Sequence, residues 1–150
     1  MTPAAFRSIR LLSVLPLLLA PVAGASSQTG IFGDFEGPTH SIVRVHPCGA
    51  SVCLTLVKLP PNPPSVLDGH NPDEALQKRP LCGLDIGTGF RQQDADHLVD
   101  GQLYDPVSGK TYKGNVTGEG DKLKLRGYIG ISLFGRSETW TRVPAVAPCT

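Results

Sequence analysis

Four cysteines, four histidines and one aspartate-rich segment are the residues in this chain whose types suit chemistry. Cys48 and Cys53 form a C-x4-C pair, and Cys82 and Cys149 stand alone. A zinc finger would need a second Cys or His pair at short spacing, and none follows. Disulfides are the stronger reading for an exported chain, and four cysteines leave three pairings open. The pairing adopted joins Cys48 to Cys53 across a hairpin mouth. Cys82 and Cys149 then close a long loop and hold the C-terminal tail.

The histidines offer less. His40 and His46 fall on one face of an expected strand but too far apart to share a metal. His70 lies in a proline-rich loop near Asp68. Asp94, Asp96, His97 and Asp100 have donor types for a hard cation, yet the segment lacks the Gly turn and terminal Glu of a calcium loop. A solvated loop is the favoured reading, and no metal site is expected. No G-x-S-x-G, H-E-x-x-H or phosphate-cradling Gly loop occurs. No catalytic residue is therefore named and no cofactor is expected. A hydrolase using a loop His and Asp is the least favoured function.

Binding is the remaining chemistry. Lys124, Arg126 and Tyr128 share one face of an expected strand, opposite Leu123 and Leu125. Glu138, Trp140 and Arg142 share one face of the next. For Lys124 and Arg126 the favoured arrangement is leucines in the core and charges in water. In the other, Arg and aromatic side chains line a cavity for an anionic or amphipathic ligand. Trp140, the single Trp, is expected to be buried. Arg142 is expected to stack on an aromatic neighbour. The candidate ligand-binding set is Phe32, Tyr112, Arg126, Tyr128, Trp140 and Arg142.

The elements that position these residues are short. Residues 1–25 read as a cleaved secretory signal: Arg7 and Arg10, an apolar run, then Ala23-Gly24-Ala25. That run is too short for a bilayer span. Residues 26–150 make a single domain, periplasmic or secreted. The signal takes two of the 14 Lys+Arg and none of the 13 Asp+Glu, which leaves 12 − 13 = −1. Nothing in that balance draws nucleic acid or an anionic membrane surface. Seventeen Gly and 14 Pro favour strands and turns over helical bundles. Residues 101–143 read as a meander of hairpins, with turns at Asp105–Gly109 and Gly118–Asp121 and a connection over 130–135. Residues 60–69 are a proline-rich loop. Asn71-Pro72-Asp73-Glu74 reads as the capped start of a two-turn helix ending at Arg79-Pro80. Residues 91–100 read as a polar loop. Strands near 30–36, 41–46, 52–59, 83–90, 101–105, 110–116, 122–128 and 137–143 make eight.

Three segments resemble the DUF2147 family of exported bacterial proteins: LRGYIGISLFGRSETWTRV (125–143), YDPVSGKTY (104–112) and NPDEALQKRPLCGL (71–84). The resemblance covers nearly all of the chain after the signal. It implies an all-β, eight-stranded antiparallel lipocalin-like (calycin) barrel, here with one short helix near 71–79. It carries no catalytic residues. Many relatives have Gly-x-Trp in the first strand, where this chain has Gly30-Ile31-Phe32. A ring contact between Phe32 and Arg142 is the expected remnant of the lipocalin Arg–Trp packing. Eight strands enclose a filled core or one small ligand. The function expected is binding of a small apolar or amphipathic molecule. The alternative is a structural or protein-interaction module of the cell envelope with a filled barrel.

Overall fold

The computed structural model describes residues 30–149, so the expected signal over 1–25 lies outside the described residues. Eight strands run in chain order: β1 (Gly33–Glu36), β2 (Ile42–Cys48), β3 (Ser51–Lys58), β4 (Asp85–Gln92), β5 (His97–Asp105), β6 (Lys110–Glu119), β7 (Lys122–Tyr128) and β8 (Arg136–Val143). Each pairs antiparallel with the next, and β8 pairs with β1 through Phe35↔Arg142, which closes the barrel. Closure leaves no sheet edge exposed.

Side chains alternate, so the register tells which residues face the axis. In β7 and β8 the pairs Leu123↔Trp140, Leu125↔Glu138 and Gly127↔Arg136 share the inner face. Across β6 the inner positions are Val116 and Gly114, and across β5 Leu98, Gly101 and Leu103. Phe35, Val43, Val45, Leu54 and Phe90 complete a continuous buried core.

Large rings fit because glycines face them. A Cβ on Gly101 would stand 2.3 Å from the Phe90 ring, and one on Gly114 would stand 2.7 Å from Leu103. Gly87 makes room for Leu54 and Gly37 for Trp140 in the same way. Such close approach is the packing expected of a protein interior.

Two expectations over 71–100 give way to the structure. The two-turn helix is a single 3-10 turn, Glu74–Leu76, capped by Asp73 rather than Asn71. The Asn71 side-chain carbonyl still accepts from the Asp73 amide, while its NH2 group donates to the buried Asp68. The polar loop over 91–100 is largely strand, since Arg91 and Gln92 end β4 and His97–Asp100 begin β5. Its charges face solvent while Leu98 alone plugs the core, so composition masked the alternation. A second 3-10 turn, Ser132–Phe134, stands in the β7–β8 connection.

The disulfides are Cys48–Cys53, across the β2–β3 hairpin, and Cys82–Cys149. The second ties the tail after β8 to the β3–β4 loop, and the Cys149 amide also donates to the Val57 carbonyl.

Trp140 is 7% exposed, and Gly37, just beyond the end of β1, lies against its ring. Trp140→Ala should therefore cost about 3–5 kcal/mol, the usual loss for a buried Trp. Urea titration followed by circular dichroism checks this, with a clearly lowered midpoint expected.

Candidate functional site

Alternating strand directions sort the connections onto two ends. The β2–β3, β4–β5 and β6–β7 turns lie at one end, with the chain entering at Gly30. The β1–β2, β3–β4, β5–β6 and β7–β8 connections lie at the other. The first end is shut. Ile31 is fully buried there, and the guanidinium of Arg142 donates to the carbonyls of Gly30 and Phe32. Arg142 lies 4.5 Å over the Phe35 ring, a cation–π contact. Its Nε makes no hydrogen bond, and the Asp121 carboxylate stands 3.9 Å away. The expected Phe32 ring contact is thus replaced. Phe35 pairs directly with Arg142 in the register, whereas Phe32 precedes β1 and offers Arg142 its carbonyl.

Toward the other end the axis-facing residues of β6, β7 and β8 become progressively wetter, while Val43 on β2 and Leu56 on β3 stay buried. Leu123 and Phe90 are fully buried, Leu125 and Trp140 are nearly so, and Tyr112 and Gly127 are half-buried. Glu138 and Arg136 are exposed although they share the inner face. The side of the mouth that water reaches, along β6, β7 and β8, is termed the cup. Trp140 and Leu125 form its floor, and Tyr112, Gly127, Arg136 and Glu138 its wall. Trp140 Nε1 donates to Glu138 Oε2 at 3.1 Å, which orients the indole on the floor.

The six candidate residues divide accordingly. Trp140 and Tyr112 meet at the cup. Arg142 and Phe32 serve the closed end. Arg126 and Tyr128 face outward, paired with Ser137 and Lys113. Arg126 holds the β7–β8 connection by donating to the Ser132 carbonyl and to the Ser132 and Ser137 hydroxyls. The strand face that carries Leu125 inward turns Arg126 outward, so these six side chains do not converge on one cavity. Glu138, Arg136 and Gly127 complete the cup instead. A signal for Glu138 existed in its shared face with Trp140.

The outer wall carries two polar devices. Asp34 on β1 accepts from Arg44 Nε and Nη2 at 2.7 and 2.8 Å and from the Val146 amide at 2.8 Å. Arg44 also donates to the Val146 carbonyl, so this pair straps the tail across β1 and β2. Asp68 in the β3–β4 loop is fully buried and accepts from Tyr104, Asn71 and Arg79. That hub clips the loop onto β5 beside a polar recess of about 210 Å³ bordered by Asp85, Thr88, Gln102 and Thr111. Another recess, about 280 Å³, lies over the outside of the β1–β8 seam. Both fall below the roughly 300 Å³ of usual ligand pockets.

A His-Thr-Asp line also crosses the outer wall. Thr55 donates to Asp85 and is therefore an acceptor toward His46 Nε2 at 2.7 Å. Its hydroxyl has no proton left for the histidine, which is not the arrangement nucleophilic catalysis needs. His97 stands 2.8 Å from Asp94 in an exposed turn at the closed end. Among the described residues, no three His, Cys, Asp or Glu side chains gather closely enough for a metal ion.

The family described as an uncharacterized protein conserved in bacteria, DUF2147, matches residues 30–142. The chain belongs to the DUF2147 family. No curated protein matches it. Among solved structures it is similar to HP1028 from Helicobacter pylori, described as belonging to the lipocalin family, with a TM-score of 0.68 and 18% identity. That match covers 75% of this chain and 82% of the other. At such identity the likeness establishes the fold, a lipocalin-like barrel, for this member of DUF2147.

The outer-wall carboxylates make stability depend on pH. Burial opposes ionisation of Asp34, but the Arg44 hydrogen bonds, the Val146 amide and the Arg44 charge outweigh it and hold its carboxyl below the ordinary value. Burial likewise opposes ionisation of Asp68, and Tyr104, Asn71 and Arg79 outweigh it. A carboxyl depressed in the folded state stabilises above its unfolded pKa of about 3.9, and that stability is lost as pH falls through the lower folded value. Asp34→Asn should lose about 1–3 kcal/mol at pH 7, and its stability should fall less steeply below pH 4 than that of the unsubstituted protein. Urea midpoints at pH 7, 4 and 3 test both statements.

Proposed function

We propose that this protein is an extracytoplasmic carrier or sensor that holds a small amphipathic molecule in the mouth of its barrel. The observation that supports this reading is the burial gradient along the inner face of β6, β7 and β8. The barrel is packed from Arg142 up to Leu123 and opens above Trp140. A ligand here rests its apolar part on Trp140, Leu125 and Tyr112. Its polar part meets Arg136 or Glu138, one charge of each sign. The two disulfides fit an oxidising compartment, as does the signal pattern over 1–25. The lipocalin-like fold is compatible with such binding at a general level.

The glycine-seated core favours a second reading. Phe90 over Gly101 and Leu54 over Gly87 leave the lower barrel no room for a guest. A module that works only through its outer surface would look the same in that region. The cup separates the two readings.

Trp140 is the protein's own reporter of the cup. Lauric acid and lysophosphatidylcholine, each below its micelle concentration, should shift its emission saturably. Gly127→Phe should abolish the shift. A Cβ there meets Tyr112 Cβ at 3.5 Å, an ordinary contact, so the backbone admits a side chain on this inner position. Absence of any emission change, together with native mass spectra showing only bare protein from its own host, would favour the outer-surface module.

A further inference from the structure

The barrel is strongly polarised from end to end. The exposed large apolar residues are Val66, Leu67, Leu76, Val107, Ile129, Ile131, Leu133 and Phe134. Val66, Leu67 and Leu76 lie on the β3–β4 connection, Val107 on the β5–β6 turn, and the other four on the β7–β8 connection. Antiparallel pairing places all three connections at the mouth. The turns of the closed end are small or charged: Gly49-Ala50, Gln93 to Asp96, and Gly120-Asp121.

The β7–β8 connection is the apex of this apolar end. Ile129, Ile131, Leu133 and Phe134 are 74%, 59%, 76% and 78% exposed. Four large apolar side chains within six positions are not needed by the core, because the core closes beneath them. They do not flail, either. Arg126 grips the Ser132 and Leu133 carbonyls and so presents the 3-10 turn as a preformed lip. Cations stand at the base of the lip. Lys113 pairs with Tyr128, Arg136 pairs with Gly127, and both are exposed.

We propose that the apolar lip is an interfacial anchor that docks the barrel mouth-down on an anionic lipid bilayer. Apolar side chains enter the headgroup–acyl boundary while flanking Lys and Arg meet anionic headgroups. No helix among the described residues is long and apolar enough to cross a membrane, so the contact is one of surface docking through the lip. Such docking puts the mouth against the phase in which amphipathic molecules are dissolved. The apolar lip lies outside the cup, and of the docking residues only Arg136 belongs to both.

Flotation with vesicles of phosphatidylethanolamine and phosphatidylglycerol tests the proposal. The full chain without its signal should float with them, and less with phosphatidylcholine vesicles. Ile131→Ser with Phe134→Ser should lower partition at least tenfold. Lys113→Gln with Arg136→Gln should lower it on anionic vesicles and flatten its salt dependence. Gly127→Phe, which fills the cup, should float as well as the unsubstituted protein, so failure of the ligand reading and failure of docking are told apart. Thermal unfolding of each variant checks that its fold is kept, since the lip residues are exposed. Equal flotation of the lip variant would overturn the proposal. So would absence of flotation, or a dimer in light scattering that Phe134→Ser dissociates, since the lip would then be covered by a second copy.

Discussion

Closing eight strands on themselves forces the inner positions to share one narrow volume, and the packing of Phe90 shows how this chain meets that constraint. The ring occupies the space that side chains of Gly101 and Gly114 would otherwise take. Three adjacent strands contribute to that contact, so it sets their register as well as their spacing. Leu54 on Gly87 and Trp140 on Gly37 repeat the device around the barrel. Because volume is the limiting quantity, a bulky residue on one strand demands a glycine on its neighbour. Any methyl group added at Gly101 would have to displace a ring that is already fully buried.

Filling from the closed end upward leaves the mouth as the place where the barrel can still exchange with its surroundings. Arg142 seals the base by satisfying two carbonyls of the entering chain and covering Phe35. Above Trp140 the same strand turns Glu138 and Arg136 toward the axis, and those charges hold the upper section open to water. Further large apolar residues stand exposed on the connections at that end. That segregation gives the molecule a wet cup, a greasy rim and a polar far end.

The outer wall explains how long irregular stretches stay in place. The β3–β4 loop has almost no regular structure, yet Asp68 ties it to Tyr104 and Cys82 ties it to the tail. The tail is held again by Asp34 and Arg44 through the backbone of Val146. A buried carboxylate is costly unless charge-assisted hydrogen bonds surround it: Asp34 accepts three from two residues, and Asp68 accepts from three residues. These clips make the mouth-side loops part of the rigid body.

Local pattern by itself determined much about this protein. Alternation in 122–128 put Leu123 and Leu125 inside, and the turn residues at 105–109 and 118–121 marked the hairpins, because both signals act within a few residues. The polar runs misled for the same local reason. In 91–100 a single inward Leu98 sufficed to make a strand, which composition cannot reveal. Asn71 keeps its bond from the Asp73 amide and is also held by Asp68, but the shortened 3-10 turn begins later and Asp73 caps it. Only the tertiary structure decided which end of the barrel was sealed, that Phe35 rather than Phe32 receives Arg142, and that Arg126 grips a loop instead of lining a cavity. It also decided that Leu67, Val107 and Phe134, far apart in the chain, belong to connections at the same end. Those outcomes depend on strand order and closure, which bring together residues on different strands and connections, and no short window of sequence contains that information.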